Sequence, residues 1–265
     1  MKRPAKVTVL ISIHNGAETL DRCFRSLADQ TMQDFEIVCV DDVSTDQTPD
    51  KLRVWQKTFG GRLRVIRNED NLGLTKSLNK GLALIQTPYT ARIDADDWWK
   101  KDKLAKQIAF MDQHHEYGVV GTNYVNVSPQ GEKPIYLPEN DREIRQNAVR
   151  RNPFAHGCVV FRTDLVKGLG GYDENVRYGQ DYELWLRALP KTKFCNLPEL
   201  LCYRTTGSGI SVEKQKEQMW QSIRTQSRYI RKYRYPITNY LSLAEPLMLV
   251  LTPDWIKTIK RKLFG

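Results

Sequence analysis

The chain has 265 residues, of which 40% are hydrophobic and 27% are charged, with 41 basic and 31 acidic side chains. This composition is typical of one or two globular domains with an apolar core, and it excludes a disordered, collagen-like or disulfide-rich protein. The net charge of +10 indicates an anionic partner, which could be nucleic acid, lipid head groups or a phosphorylated small molecule.

Apolar runs of strand length alternate with helical patterns over the first hundred residues. The strand candidates are 7–13, 35–40, 63–66 and 89–93, and the helix candidates are 18–27, 47–59 and 74–85. Apolar strands without alternation, separated by helices, are typical of a mostly parallel sheet that is covered on both faces. This half therefore predicts a Rossmann-like α/β sheet, whose ligands bind beyond the carboxyl ends of the strands.

The first strand candidate follows a basic start, which raises the alternative of a secretory signal peptide. The run is short, contains Thr8 and Ser12, and ends at His14 without a small-residue cleavage site, so we interpret it as a buried strand. The five cysteines are widely spaced and form no C-x-x-C pair, which favours a reducing compartment. No run reaches the roughly 18 apolar residues of a membrane span. We expect a cytoplasmic protein.

The pattern becomes less regular from about residue 101. Residues 103–111 and 141–150 are helix candidates, residues 118–127 and 158–161 are strand candidates, and residues 128–138 form a turn rich in Pro and Gly. This half is predicted to be α+β.

Most of the excess charge lies in residues 213–265, which contain eleven basic and four acidic side chains. A polar helical pattern over 213–235 is followed by an apolar stretch over 241–251 and by aromatic, aliphatic and basic residues interleaved over 255–264. Such a tail lies in anionic lipid head groups or packs on the main domain as a solvated basic helix. The sequence leaves both alternatives open, and homodimerisation through the tail as well.

Carboxylates follow the fourth strand candidate directly. Asp94 and Asp96 are one residue apart, so on a turn they can share a hard divalent cation whose other ligands are phosphate oxygens. A lone pair of this kind is weak evidence, because Asp is common in turns. Its position at a strand end strengthens the prediction of a Mg²⁺ or Mn²⁺ site.

A second acidic pair, Asp41 and Asp42, follows the second strand candidate. Thr45 or Asp46 could simply cap the next helix. The functional interpretation gives Asp42 a role in base recognition, because a carboxylate accepts the imide N–H of uracil.

Together these segments resemble the family 2 glycosyltransferases, which are inverting enzymes with a GT-A fold. The resemblance covers residues 6–212 and rests on ordered motifs at 9–15, 41–46, 71–74, 94–96 and 171–181. It implies a GT-A domain over 1–212, with a nucleotide-sugar-binding half over about 1–100 and an acceptor-binding half over 101–212. The basic amphipathic helical tail, 213–265, follows it.

The resemblance also implies roles for individual residues. Nucleotide-sugar binding falls to Ser12, His14, Glu18, Asp42, Lys76, Asp94, Ala95 and Arg204, metal binding to Asp94 and Asp96, and the acceptor side to His156 and Trp98. Asp181 is the expected general base, because a carboxylate opposite the leaving group can take the proton of the attacking hydroxyl. The alternative for Asp181 is a helix N-cap. Trp98 is expected to stack on a sugar ring or to pack in the core.

The implied activity is metal-dependent, inverting transfer of a sugar from a nucleotide-diphospho-sugar, with UDP as the expected nucleotide. The implied acceptor is a glycan or a lipid-linked hydroxyl in bacterial-type surface polysaccharide or lipopolysaccharide synthesis, at the inner face of the cell membrane. The alternative is a non-catalytic nucleotide- or nucleic-acid-binding protein with a basic tail. A Rossmann dehydrogenase, a P-loop enzyme and a zinc protease are excluded, because their motifs are absent.

Overall fold

A computed structural model describes residues 5–206, 215–244 and 247–248. In the first half, strands and helices alternate as predicted, and their ends differ from the prediction by one or two residues. The strands are β1 (Val7–Ile13), β2 (Phe35–Asp41), β3 (Leu63–Arg67) and β4 (Tyr89–Arg92), and the helices are α1 (Leu20–Ala28), α2 (Thr48–Phe59) and α3 (Leu74–Leu84).

These four strands are parallel to one another and lie in the order β3-β2-β1-β4. Apolar residues do not alternate along them because helices cover both faces. Val9 and Ile11 of β1 pack with α1 and α2 on one face, whereas Leu10 packs with α3 on the other. The Rossmann-like prediction for this half is confirmed.

The second half extends the same sheet with strands of mixed direction. Its elements are β5 (Trp98–Trp99), α4 (Lys103–Gln113), β6 (Tyr117–Ser128), β7 (Gly131–Ile135), α5 (Asp141–Asn147), β8 (Val160–Arg162), α6 (Thr163–Gly168), α7 (Gln180–Ala188), β9 (Lys193–Thr205) and α8 (Gln215–Lys232). Beyond β4 the order of the described strands is β8-β6-β9-β5, and β7 forms a hairpin with β6. Strand β8 is antiparallel to β4, whereas β9 is parallel to β6.

Two predictions for this half are wrong. Residues 128–138 are not a simple turn, because Gly131–Ile135 pairs with β6 as an edge strand. The strand predicted over 158–161 is displaced, since His156–Cys158 forms a 3₁₀ turn and the strand is Val160–Arg162. The sequence pattern was weak in both places, because the 3₁₀ turn contains a glycine and because the side chains of β7 are mostly exposed and polar.

Helix α8 packs against the main domain. Tyr229 and Ile230 are buried, and the Tyr229 hydroxyl donates a hydrogen bond to Glu183 on α7 at 2.6 Å. The Tyr233 hydroxyl donates to the carbonyl of Leu186 at 2.9 Å. Of the two alternatives for the tail, packing on the domain is therefore observed for α8. The interleaved stretch over 255–264 lies outside the described residues.

All five cysteines lie in the described part of the chain and are free thiols, four of them buried. Within the described ranges, no helix has both the length and the apolar character that crossing a membrane requires.

A buried lysine lies at the beginning of α4. Lys103 is 0% exposed, and its Nζ, which has no hydrogen-bond partner, lies 3.7 Å from the centre of the Trp99 ring. Burial lowers the pKa of Lys103 to about 8, because the ammonium group loses its hydration. At neutral pH the core therefore contains an ammonium group that lies against the face of an aromatic ring and near the thiols of Cys202 and Cys158, with no carboxylate among the groups that act on its pKa.

Replacing Lys103 by Met is expected to stabilise the fold at pH 7. The folded pKa of about 8 lies below the reference value of 10.5, so the penalty is complete below pH 8 and disappears as the pH rises towards 10.5. A shift of this size corresponds to about 3 kcal/mol, less the contribution of the Trp99 contact. Denaturant unfolding at pH 7 and pH 10 should show a gain that shrinks at the higher pH.

The matched control is Lys101→Met, because Lys101 is exposed two residues earlier. It should change stability little at either pH. An equal gain for Lys103→Met at both pH values would contradict the buried-charge explanation.

Candidate active site

The loops that leave β1 and β2 are tied together at the carboxyl edge of the sheet. Asn15, with a left-handed φ of 52°, donates its backbone N–H to the Ser44 hydroxyl at 2.9 Å and accepts the N–H of Thr45 on its side-chain oxygen at 2.8 Å. Asp46 accepts the N–H of Ala17 at 3.0 Å. Asp46 therefore bridges the two loops. It also accepts the N–H of Thr48 at the start of α2, although the N-cap residue of that helix is Gln47.

Asp41 maintains the shape of the loop after β2. It is 1% exposed, and it accepts hydrogen bonds from the Ser44 N–H and from Nη1 of Arg67, each at 2.9 Å. The sequence did not separate the roles of Asp41 and Asp42. In the structure, both carboxylate oxygens of Asp41 are used to hold this loop and Arg67.

Asp42 holds the motif over 71–74 against the end of β2. Its Oδ1 accepts from Nδ2 of Asn68 at 2.7 Å and from the N–H of Leu72 at 2.8 Å, while its Oδ2 accepts from the N–H of Gly73 at 2.8 Å. The side chain is buried. Asp42 thus positions the loop that borders the predicted base site, and its own contact with the base remains a prediction.

The other predicted nucleotide-side residues lie along the same edge. Ser12 is half-buried near the end of β1, and His14 is exposed just beyond it. Nδ1 of His14 lies 2.8 Å from the carbonyl oxygen of Asp42, so the two predicted base-side residues are in contact. Glu18 and Lys76 are exposed, close to the beginnings of α1 and α3.

Three carboxylates occupy the turn after β4, with the half-buried Ala95 between the first two. Burial and the negative charge of Asp94 raise the pKa of Asp96, and the same causes raise the pKa of Asp97 well above its usual value. Burial also opposes ionisation of Asp94, but the positive charge of Arg92 outweighs it and lowers the pKa of Asp94. The negative charge of the turn is therefore held mainly by Asp94, and ionisation of Asp96 and Asp97 is disfavoured.

Arg92, the source of that positive charge, was not identified from the sequence. It is fully buried in β4, and its Nη2 donates to Oδ1 of Asp94. Its Nε and Nη1 have no hydrogen-bond partner. An unsatisfied buried guanidinium is costly, so a position of this kind is seldom explained by stability alone. The available signal was an arginine within a run of buried strand residues.

Asp181 lies in the first turn of α7 and is 9% exposed. The helix begins at Gln180, and its N-cap is Gly179, which has a left-handed φ of 68°. The N-cap alternative for Asp181 is therefore wrong. Nδ2 of Asn152 donates to Oδ2 of Asp181 at 2.7 Å, a contact that no sequence pattern indicated.

His156 and Arg204 are both within electrostatic range of Asp94 and of Asp181. Burial, together with the nearby charge of Arg92, lowers the pKa of His156 to about 4, and Asp181 and Asp94 both oppose this shift. Partial burial opposes the charge of Arg204, but Asp97, Asp94 and Asp181 raise its pKa. The structure therefore brings Asp94 and Asp181 to a shared site, with an uncharged histidine and a charged arginine beside them.

His156 has a second, fixed partner. Its Nε2 lies 2.9 Å from the hydroxyl of Tyr172, a buried residue of the motif over 171–181. Because burial also raises the pKa of Tyr172, the phenol is neutral and can donate this hydrogen bond.

The packing of Trp98 disfavours the predicted stacking on a sugar. Its ring stacks on Tyr203 with centroids 5.1 Å apart and planes within 3°. The guanidinium carbon of Arg22 lies 3.7 Å from the centre of the same ring. Trp98 therefore joins α1 to β9 at the side of the site.

A sheet that is parallel in its first half, with carboxylates after β4 and at the start of α7, defines a GT-A glycosyltransferase architecture. A family model described as glycosyl transferase family 2 matches residues 8–169. The amylovoran biosynthesis glycosyltransferase AmsE of Erwinia amylovora is 34% identical over 229 residues, which is 84% of each chain. The chain therefore belongs to glycosyl transferase family 2.

A more distant relative and two solved structures extend the comparison. The chondroitin synthase of Escherichia coli is 26% identical over 255 residues, 90% of this chain and 35% of that one. S. aureus TarS in complex with UDP-GlcNAc superposes with a TM-score of 0.73 at 23% identity, over 91% of this chain and 71% of that one. The mannosyltransferase PcManGT of Pyrobaculum calidifontis, in complex with GDP-Man and Mn²⁺, gives 0.70 at 17% identity, over 99% and 81%. The structures confirm the GT-A fold.

Replacing Arg92 by Met is expected to separate stability from activity. The variant removes a buried guanidinium with two unsatisfied donors, and Asp94, whose side chain is 35% exposed, can be hydrated in its absence, so the melting temperature should stay the same or rise. It also releases the Asp94 carboxylate, so release of nucleotide from sugar donors should fall at least a hundredfold. Thermal unfolding and a nucleotide-release assay measure the two effects.

Arg67→Met provides the contrast, because it strips a partner from the buried Asp41 at the other end of the edge. That variant should lose stability. Parallel loss of stability and activity in Arg92→Met would show that Arg92 is only a structural residue.

Proposed function

We propose that the chain transfers the sugar of a UDP-sugar to a hydroxyl group of a glycan or lipid-linked acceptor, with inversion at the anomeric carbon. The observation that carries the proposal is a pair of held carboxylates, Asp94 beside Arg92 at the end of β4 and Asp181 beside Asn152 at the start of α7. Both carboxylates lie near enough to His156 and Arg204 to act on the charge of those side chains. A single displacement needs this arrangement, with leaving-group stabilisation on one side and a base on the other.

Asp181 is the proposed general base. Asn152 occupies Oδ2 and fixes the orientation of the carboxylate, which leaves Oδ1 to accept the proton of the acceptor hydroxyl. His156 is uncharged at neutral pH, so it does not neutralise the base. The attacking oxygen approaches the anomeric carbon from this side, and the nucleoside diphosphate leaves on the other.

Asp94 and Asp96 are the proposed protein ligands of a Mg²⁺ or Mn²⁺ ion. Their oxygens are hard donors, and the raised pKa of Asp96 beside Asp94 reflects a repulsion that a cation would relieve. Among the described residues, no group of three or more His, Cys, Asp or Glu side chains is placed to hold a metal alone. Diphosphate oxygens would then complete the ligand set. Such an ion stabilises the charge that develops on the leaving diphosphate.

The acceptor is proposed from the relatives. AmsE is described as an amylovoran biosynthesis enzyme, and the E. coli relative as a chondroitin synthase, so both act in polysaccharide synthesis. We place this chain in the synthesis of a bacterial-type surface polysaccharide or lipopolysaccharide, on the cytoplasmic side of the membrane. The second candidate, a non-catalytic nucleotide- or nucleic-acid-binding protein, would not need the part-buried contact between Asn152 and Asp181.

Asp181→Asn is expected to lower sugar transfer at least a thousandfold while leaving donor affinity within about threefold. The amide keeps the size and the Asn152 contact of the carboxylate but cannot take a proton. A panel of UDP-sugars, assayed for UDP release and for donor binding by calorimetry, measures both quantities.

The matched control is Asp164→Asn, because Asp164 is an exposed carboxylate in the first turn of α6. It should transfer sugar normally. Full transfer by Asp181→Asn would refute the proposed base, and absence of binding to any nucleotide sugar would refute the transferase itself.

Removal of divalent cations is expected to abolish transfer and to weaken UDP binding at least tenfold. Added Mn²⁺ or Mg²⁺ should restore both properties in the unmodified chain but not in Asp96→Asn, which lacks one ligand. Calorimetric titration of UDP with and without EDTA tests this directly. Equal UDP affinity in both conditions would rule out the Asp94 and Asp96 site.

A further inference from the structure

The segment that follows α8 presents apolar side chains to solvent. Ile237 and Leu241 are 81% and 75% exposed, and Tyr240 and Leu247 are each 37% exposed. The 3₁₀ helix Ile237–Leu243 carries the first three of them. A 3₁₀ helix has about three residues per turn, so Ile237, Tyr240 and Leu241 lie on adjoining parts of its surface, and Leu247 is exposed as well. We call these four residues the apolar face.

The opposite side of the segment is held against the domain. Asn239 is buried, and its Oδ1 accepts a hydrogen bond from Nε of Arg150 at 3.1 Å. The Tyr235 hydroxyl donates to the carbonyl of Arg145 at 3.1 Å. Because the polar side is anchored, the apolar face is directed outward by the fold.

Positive charge surrounds the apolar face. Residues 231–244 contain three basic and no acidic side chains. Arg150 and Arg151, which adjoin the anchor at Asn239, are also exposed. A second copy related by a twofold axis would bring these like charges together. Nucleic acid would match the charge but leave the aliphatic side chains in water, whereas an anionic bilayer satisfies both.

The anchor of the apolar face is linked to the proposed base through a short stretch of chain. Arg150 contacts Asn239, and Asn152, two residues later, donates to Asp181. Two residues span at most about 7 Å between Cα atoms. A surface on which the apolar face rests would therefore lie near the acceptor side of the site.

We propose that the apolar face inserts into the interfacial region of an anionic lipid bilayer, with Arg150, Arg151, Arg231, Lys232 and Arg234 at the head groups. The contact brings Asp181 to the membrane surface, where a lipid-linked acceptor presents its hydroxyl. The acceptor role rests on the proposed function, but the lipid contact does not. The prediction for the tail concerned 213–265 as a whole, and α8 does not belong to the proposed contact because its Ile230 packs inward.

The test uses the full chain and sedimentation with vesicles of phosphatidylcholine and phosphatidylglycerol at 70:30, compared with pure phosphatidylcholine. The chain should bind the anionic vesicles at low salt and less as salt rises. The double variant Ile237→Ser and Leu241→Ser should bind them at least tenfold more weakly. Arg231→Glu with Arg234→Glu should do the same on anionic vesicles.

Matched controls lie on α2 and β3, on another part of the surface. Val54→Ser removes an apolar side chain that is 62% exposed, and Lys57→Glu with Arg64→Glu reverses two exposed charges. Both should bind vesicles as the unmodified chain does. UDP-sugar binding and the melting temperature should be unchanged in every variant, so a failure of the lipid contact is distinguishable from a failure of the transferase.

Undiminished vesicle binding by the Ile237 and Leu241 variant would overturn the proposal, as would absence of binding by the unmodified chain. A dimer in sedimentation equilibrium that the variant dissociates would assign the face to a second copy instead. Competition by RNA that leaves no lipid-bound fraction would assign it to nucleic acid.

Discussion

The candidate site depends on one ion pair, that between the buried Arg92 and the half-buried Asp94. Three carboxylates within four residues repel one another, and their partial burial weakens the screening of this repulsion by water. The guanidinium of Arg92 supplies the opposing charge from beneath, and it keeps Asp94 ionised while Asp96 and Asp97 resist ionisation. The turn after β4 is therefore a polarised edge of the sheet, with its negative charge held on Asp94.

The sheet topology places this pair at the junction of two different arrangements. Up to β4 the strands are parallel and their loops converge on one edge, whereas from β8 onward the strand directions are mixed. Asp94 follows β4, the last strand of the parallel first half. Asp181 lies at the start of α7, much later in the sequence. His156 and Arg204 come from the 3₁₀ turn and from β9, so the second half of the fold encloses the space above the carboxylates.

The first half could be predicted from sequence because each of its strands and helices carries its own local pattern, and because polar residues at strand ends converge in a parallel sheet. The second half could not, since β9 is formed by pairing with β6 about seventy residues away and skips two residues between Leu197 and Leu200. Arg92 and Asn152 could not be predicted as site residues for a related reason. Each is a single polar residue whose importance comes from a partner in space, and neither belongs to a periodic pattern or a motif.

The packing of α8 limits how far the chain can be shortened from its C-terminal side. The matched family model ends at residue 169, yet the carboxylate of Glu183, two residues after Asp181, is buried and receives the Tyr229 hydroxyl from α8. A fragment that stops before α8 would expose the apolar surface around Tyr229 and Ile230 and would leave Glu183 with Arg187 as its remaining partner. Helix α8 is thus part of the packed core of the domain, and any minimal folded fragment must include it.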